Sequence, residues 1–185
     1  MKIGLFFGSF NPIHIGHLII ANSICEAAKL DEVWFVVSPH NPFKDKNSLA
    51  PANLRLQWVE KSIGDNPKLK ASGIELDLPQ PSYTFQTLQF LKSQAHKFHL
   101  IMGSDSFLSL PKWKNADEFM YDYSIEIYER PNAPIQDLPA FPKATLHQLP
   151  LLDISATVIR NKIKSKEGVQ YFVRDEVLEG VLKYY

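Results

Sequence analysis

The sequence predicts an α/β fold: a doubly wound, mainly parallel sheet with helices on both faces and a C-terminal helical appendage. Three observations predict it. Short apolar runs closed by glycine or Ser-Pro, namely KIGLFFG (2–8), EVWFVVSP (32–39) and FHLIMGSD (98–105), have the length and the β-branched or aromatic content of buried strands. Stretches with apolar residues at helical spacing separate them, and strands alternating with helices form βαβ units whose right-handed crossovers give a parallel sheet. At 185 residues the chain is long enough for one well-buried core and short for two. The expectation is therefore a single domain over 1–185, its helical C-terminal portion covering about 155–185.

The elements follow in order. After the strand at 2–8, Leu18, Ile19, Ala21, Ile24, Cys25 and Ala28 recur at helical spacing between Ile15 and Leu30, with Cys25 as a small core residue. The second strand, 32–39, ends at Ser-Pro, and a polar loop, HNPFKDKNSLAP, leads into the helix-like ANLRLQWVEKSIG. Residues 69–78 read as a third strand, with Ile74, Leu76 and Leu78 alternating against Glu75 and Asp77. YTFQTLQFLKSQA has helical spacing, with Ser82 or Thr84 available as its cap. Beyond the strand at 98–105 come a helix-forming region around Trp113, the strand-like YSIEIYE, a proline-rich connector from Pro131 to Pro142, a short strand at ATLHQL, and helices from Ser155 and Arg174. This is a Rossmann-like succession.

Composition narrows the function. Twenty lysines and arginines balance twenty aspartates and glutamates, so no global charge draws a nucleic acid or a membrane, and any anion site must be built locally. One cysteine makes no internal disulfide and no zinc cluster. The apolar N-terminal run is interrupted by Gly4, Gly8 and Pro12, is too short for a membrane span and lacks a small-residue cleavage site. The expectation is a soluble cytoplasmic protein without a nucleic-acid or membrane partner; whether it forms a homo-oligomer stays open.

In such a sheet, ligands bind beyond the carboxyl ends of the strands. Those ends carry GSFNPIHIGH, SPHNPFK and MGSDSF, which would share one edge. In the first, Gly8 allows a sharp turn and a close backbone approach to a ligand. Gly16 keeps a side chain away from the start of the next helix, where free N–H groups and the helix dipole attract anions. His14 and His17 lie at that positive end. A zinc pair is the rival reading, but metal helices space histidines four apart and nothing nearby supplies a third ligand; two histidines in an ordinary turn is the other. The strand-to-helix position and the glycines favour phosphate, with no metal site. Near the C-terminus, ISATVIR (154–160) offers Ser155 as an N-cap, N–H groups at 156–158, the Thr157 hydroxyl, and Arg160 one turn on as a fork-shaped donor. A capped helix with a solvated arginine would read the same way in isolation.

Carrying both motifs, the chain resembles the nucleotidyltransferase superfamily, whose phosphate-binding signature is His-x-Gly-His and whose second signature is Ile-Ser-x-Thr-x-Ile-Arg. PSYTFQTL (81–88) and MGSDSFLSLPKW (102–113) are similar to the Ser-Tyr-Thr and Gly-x-Asp…Leu-x-x-Trp elements of the bacterial nicotinate-nucleotide adenylyltransferase family, and the likeness runs from Ile3 to about Ile163. It implies transfer of the adenylyl group of ATP to nicotinate mononucleotide, with Mg²⁺ accompanying ATP. His17, His14, Lys44 and Arg160 are the implied catalytic residues. Gly8, Ser9, Phe10, His14 and His17, with Gly103 and Asp105 and then Ile154, Ser155, Thr157 and Arg160, are the implied ATP contacts. Lys44, Tyr83, Thr84, Trp113 and Arg130 would meet the acceptor.

Several of these assignments have a second reading. Trp113 can stack on a pyridine ring or fill the core. Asp105 can accept from ribose hydroxyls or cap a helix. Arg55 and Arg130 are basic candidates that surface salt bridges explain equally well. Backbone N–H groups near Tyr83 and Thr84, with the Thr84 hydroxyl, can hold a carboxylate. Two positions depart from the family's pattern: Asn11 and Gln86 stand where aspartate is common. The alternatives are an enzyme acting on nicotinamide mononucleotide or phosphopantetheine, and a non-catalytic nucleotide-binding module.

Overall fold

The computed structural model describes residues 1–39, 49–136 and 141–185. Six parallel strands form a sheet: β1 (Lys2–Gly8), β2 (Glu32–Val37), β3 (Leu69–Ser72), β4 (Lys97–Gly103), β5 (Ser124–Tyr128) and β6 (Ala144–His147). Their order is β3-β2-β1-β4-β5-β6. The chain winds outward from β1 to β3, then returns to the other side of β1 and winds outward again. Gly8 pairs with Val37 and Phe6 with Ile101, so β1 is hydrogen-bonded on both edges. The segments leaving β1 and β4 diverge to opposite faces, which opens a crevice at the carboxyl edge between them.

Both faces are buried because the strand side chains alternate. Phe6, Val33, Phe35 and Ile101 face one core, covered by α1 (Ile15–Ala27), α2 (Ala52–Ile63), α5 (Ala156–Lys164) and α6 (Asp175–Tyr184) through Ile20, Ile24, Trp58, Ile159 and Val181. Ile3, Leu5, Leu100 and Ile127 face the other, covered by α3 (Thr84–Leu91), α4 (Ser104–Ser109) and 3₁₀ turns at Leu110–Lys112 and Ala116–Glu118. Cys25 is buried on α1, and its thiol donates to Leu30 O at 3.4 Å. Across β4, β5 and β6, the Glu126 carboxylate meets His99 Nδ1 at 2.7 Å and His147 Nε2 at 2.6 Å. Burial pushes the Glu126 carboxyl up, but the two histidine contacts outweigh it and hold it below its usual range. No helix among the described residues is long and apolar enough to cross a membrane.

Three local expectations are corrected. The third strand stops at Ser72, and Ile74–Leu76 form a 3₁₀ turn instead of continuing the alternation. The reason is Glu75: its carboxylate is 2% exposed and accepts from Ser82 Oγ at 2.9 Å and Thr87 Oγ1 at 2.8 Å, which turns the chain back toward α3. That bond also removes Ser82 as a cap. Tyr83 is the N-cap of α3, and Gln86 Oε1 accepts the Tyr83 N–H at 3.2 Å, so Thr84 is the first helical residue, not the cap. The strand expected to reach residue 105 ends at Gly103, because Ser104 already belongs to α4.

Candidate active site

The loop from β1 to α1 is tightly determined. A Cβ on Gly8 would lie 2.8 Å from the Phe10 ring, so only glycine permits this approach. Phe10 itself has φ +44°, a left-handed conformation unfavourable for a bulky residue. Its ring, 2% exposed, is wedged edge-on against Phe6 at 5.8 Å and Phe35 at 5.4 Å, which offsets that strain.

His14 is the N-cap of α1, and the two histidines hold each other. The His14 N–H donates to His17 Nδ1 at 3.2 Å, and the His17 N–H donates to His14 O at 2.9 Å. An accepting Nδ1 carries no proton, so the His17 ring bears its proton on Nε2. The rings stack at 3.6 Å and 26°. Gly16 makes room for this: a Cβ there would come within 3.1 Å of His14 Nδ1. His14 is 5% exposed, and its Nδ1 has no hydrogen-bond partner among the described residues. Burial, aided by the Arg130 charge, pulls its pKa down to about 3, so the ring is neutral at neutral pH.

The C-terminal motif closes on this loop. Ser155 caps α5, its Oγ accepting the Val158 N–H at 3.2 Å. Of the three N–H groups expected to face a phosphate, Val158's is therefore taken up by the cap, and Ala156 and Thr157 line the cavity. Arg160 donates from Nη1 to Asn11 O at 2.7 Å and from Nη2 to Thr157 Oγ1 at 3.1 Å, joining the first and last motifs directly. The result is a cavity of about 420 Å³. Gly8, Ser9, Phe10, His14, His17, Ser155, Ala156, Thr157 and Arg160 line it, together with Asn11, Leu49 and Tyr128, which no motif marked as contacts. Burial lifts the Tyr128 hydroxyl to about 12, so it stays protonated as a donor.

Arg130, expected on the acceptor side, lines this first cavity instead. Its backbone N–H is fixed by Ser104 Oγ at 2.8 Å. Asp105 does not cap α4; Gly103 holds that position. A Cβ on Gly103 would sit 2.5 Å from Asp105 Oδ1 and 2.9 Å from Arg130 Cγ, so Gly103 and Asp105 stand beside Arg130 at the cavity's flank. Ile154 packs behind Gly16.

A second cavity, of about 460 Å³, adjoins the first through Gly8 and Ser9, which line both. Tyr83, Thr84 and Trp113, three of the residues expected to meet the acceptor, line it together, with Glu75, Ser106, Ser109, Lys112 and Lys114 beside them. Trp113 is half-buried: it packs against the second core and lines the cavity, and its Nε1 donates to Ser109 Oγ at 3.3 Å. The Tyr83 N–H, expected to meet a carboxylate, is already bound to Gln86, which leaves the Thr84 N–H and hydroxyl as donors at this helix start. The Lys114 ammonium lies over the Tyr83 ring, 4.3 Å from its centre.

Arg55 is neither a surface ion pair nor a cavity residue. It is 0% exposed and donates to four carbonyls: Ala50 O at 2.7 Å, Ser9 O at 2.5 Å, Ser38 O at 2.9 Å and Pro39 O at 2.9 Å. One guanidinium thus ties the β1 loop to the end of β2 and the start of α2. Asn11 works alongside it, Oδ1 accepting from the Ala50 N–H at 2.9 Å and the Tyr185 hydroxyl at 2.5 Å. Nothing in the local pattern around Arg55 signalled this, since its acceptors are backbone atoms. Lys44 lies outside the described residues.

A doubly wound sheet with two helix starts, basic donors and neutral imidazoles gathered at its switch point defines a nucleotide-binding α/β protein built around phosphate. Residues 5–162 match the family described as cytidylyltransferase-like. A protein of Cytophaga hutchinsonii named probable nicotinate-nucleotide adenylyltransferase is 48% identical, with 100% of this chain and 98% of that one aligned. One of the same name from Bacillus licheniformis is 34% identical over 95% of this chain and 93% of its own. The chain belongs to the cytidylyltransferase-like family and, within it, to the nicotinate-nucleotide adenylyltransferases. Among solved structures, the Plasmodium falciparum nicotinic acid mononucleotide adenylyltransferase complexed with NaAD shares the fold, with a TM-score of 0.82 at 20% identity over 99% of this chain and 95% of that one.

Proposed function

We propose that this chain transfers the adenylyl group of ATP to nicotinate mononucleotide, forming deamido-NAD (nicotinate adenine dinucleotide) and pyrophosphate in NAD biosynthesis. The observation that carries the reading is the pair of cavities meeting at Gly8 and Ser9: one lined by His14, His17, Arg130, Arg160 and the start of α5, the other by Trp113, Tyr83 and the start of α3. Two substrates whose phosphates must meet need such a shared lip. The names of the relatives and the NaAD bound to the Plasmodium structure support the same acceptor.

In this reaction an oxygen of the acceptor's 5′-phosphate attacks the α-phosphorus in line. The bond from that phosphorus to the β-bridging oxygen breaks, and the electron pair leaves with pyrophosphate. A phosphate monoester has its second pKa near ~6 and is already ionised at neutral pH. No general base is required, and catalysis is positioning and charge stabilisation. The His17 Nε2–H serves the α-phosphate oxygens as charge develops, with His14 and Arg130 beside it. Arg160, Thr157 and the start of α5 hold the β- and γ-phosphates and the leaving pyrophosphate, and we assign Lys44 to the same charge. Gly103 and Asp105 attend the ribose, and Ile154 backs the loop.

Mg²⁺ fits as the partner of ATP. No carboxylate lines the first cavity among the described residues, and no group of three His, Cys, Asp or Glu there can hold an ion, so the phosphate oxygens themselves would carry it. Its chemistry would be to neutralise charge on the departing pyrophosphate. We assign the reaction to the cytoplasm, where ATP is supplied.

The test is pyrophosphate release from ATP with nicotinate mononucleotide, nicotinamide mononucleotide, phosphopantetheine or no acceptor. Release should be fastest with nicotinate mononucleotide and absent without an acceptor. Release that depends on phosphopantetheine, or on no acceptor at all, overturns the proposal.

A further inference from the structure

We propose that Lys114 sets the preference for an acid over an amide on the pyridine ring of the acceptor; this rests on the acceptor chemistry proposed above. Its position is the first argument. Lys114 and Tyr83 come from different elements, one following the 3₁₀ turn Leu110–Lys112 and the other opening α3, and both line the second cavity. Lys114 is exposed, and its ammonium sits 4.3 Å from the Tyr83 ring centre, close enough for cation–π attraction to bias it toward the cavity wall.

Chemistry is the second argument. The hydroxyls of Ser38, Ser106 and Thr84 on this lining can donate or accept, so they suit an acid and an amide alike. Glu75 opposes an anionic ring substituent, although Ser82 and Thr87 each donate a hydrogen bond to its carboxylate. The Tyr83 N–H is bound to Gln86 Oε1 and offers an incoming carboxylate nothing. The Thr84 N–H at the start of α3 can donate to a carboxylate or to an amide carbonyl alike, so discrimination by full charge falls to the lysines, and of Lys112 and Lys114 the second lies against the aromatic wall. An ammonium donates and never accepts. It gives a carboxylate an ion-paired hydrogen bond and gives a carboxamide only the weaker ion–dipole bond to its carbonyl oxygen.

The test compares kcat/KM for nicotinate and nicotinamide mononucleotides at saturating ATP, in the full chain and in Lys114→Met, Lys114→Arg and Tyr83→Leu. Lys114→Met keeps the apolar stem and removes the charge. It should lower kcat/KM for nicotinate mononucleotide about tenfold, mainly through KM, while the value for nicotinamide mononucleotide stays within about twofold. Lys114→Arg should retain most of the preference, and Tyr83→Leu should lose part of it. Thermal unfolding of each variant should match the parent, which separates selection from damage. Equal losses for both mononucleotides would assign Lys114 to the shared 5′-phosphate and overturn the proposal, as would an unchanged preference. If the unaltered chain turns over neither mononucleotide, the acceptor reading falls and this inference with it. If it turns over nicotinate mononucleotide and Lys114→Met keeps the full preference, only this inference falls.

Discussion

The two cavities that meet at Gly8 and Ser9 are built in opposite ways. The first is walled by groups with several independent restraints each. Phe10 is wedged by Phe6 and Phe35, His17 is held by His14 at Nδ1 and at its own N–H, Arg160 grips Asn11 O, and the Ser9 carbonyl is bound by Arg55. The second is walled by half-buried or exposed side chains from one helix start and a 3₁₀ turn: Tyr83, Trp113 and Lys114. A phosphate has the same shape and charge in any nucleotide, so a rigid, largely backbone cradle suits it. A ring substituent must be told from a near neighbour. That task sits on side chains that can change without disturbing the sheet.

Four experiments would break or sharpen this contrast. The largest effect is expected at His17. Removing one transition-state donor lowers turnover about a hundred- to a thousandfold, so His17→Ala should lose at least that in kcat while ATP affinity changes much less; near-normal turnover rejects the assignment. Arg55→Met comes next. Each buried carbonyl left without a donor costs about 1–3 kcal/mol, and four are affected. Urea unfolding should show a loss above roughly 3 kcal/mol. A loss below about 1 kcal/mol would mean that the cradle holds itself without the guanidinium.

In the second cavity, Trp113→Ala should raise the KM for nicotinate mononucleotide roughly tenfold, about 1.4 kcal/mol, with ATP kinetics largely kept. Equal damage to both substrates would make Trp113 a core residue first. The last effect is on stability and concerns His14. Folded, it titrates near 3; unfolded, near its ordinary 6.5, so between these values the unfolded chain binds the additional proton. Stability should fall as pH drops below about 6.5, with a slope approaching ~1.4 kcal/mol per pH unit. Glu126, held below its usual 4.5, adds its own loss only further into acid. Urea midpoints between pH 7 and 5 should flatten in His14→Gln, and an unchanged slope would show that His14 is solvated.

Much of the first cavity was legible because its signals are short and local. Gly8, Gly16 and the strand-to-helix change announce a backbone cradle, and Ser155 announces a helix start; these depend on neighbours within a turn or two. Arg55 was not legible. Its pattern matches any helical arginine, and its partners are carbonyls at 9, 38, 39 and 50, which no side-chain pattern encodes. Glu75 misled for a related reason: alternation placed it outward on a strand, while its hydroxyl partners on Ser82 and Thr87 drew it inside. Gln86 proved a matter of local chemistry, a helix-capping acceptor where a carboxylate is common.

The sequence by itself determined the alternation of strands and helices, the parallel winding and the two phosphate motifs, because hydrophobic period, capping and glycine spacing are properties of neighbouring residues. Only the tertiary structure decided which groups share a cavity. Arg160 reaching Asn11 across the chain, Arg130 standing beside His14, and Lys114 lying over Tyr83 are meetings set by sheet order and crossover, and separation along the chain carries no record of them.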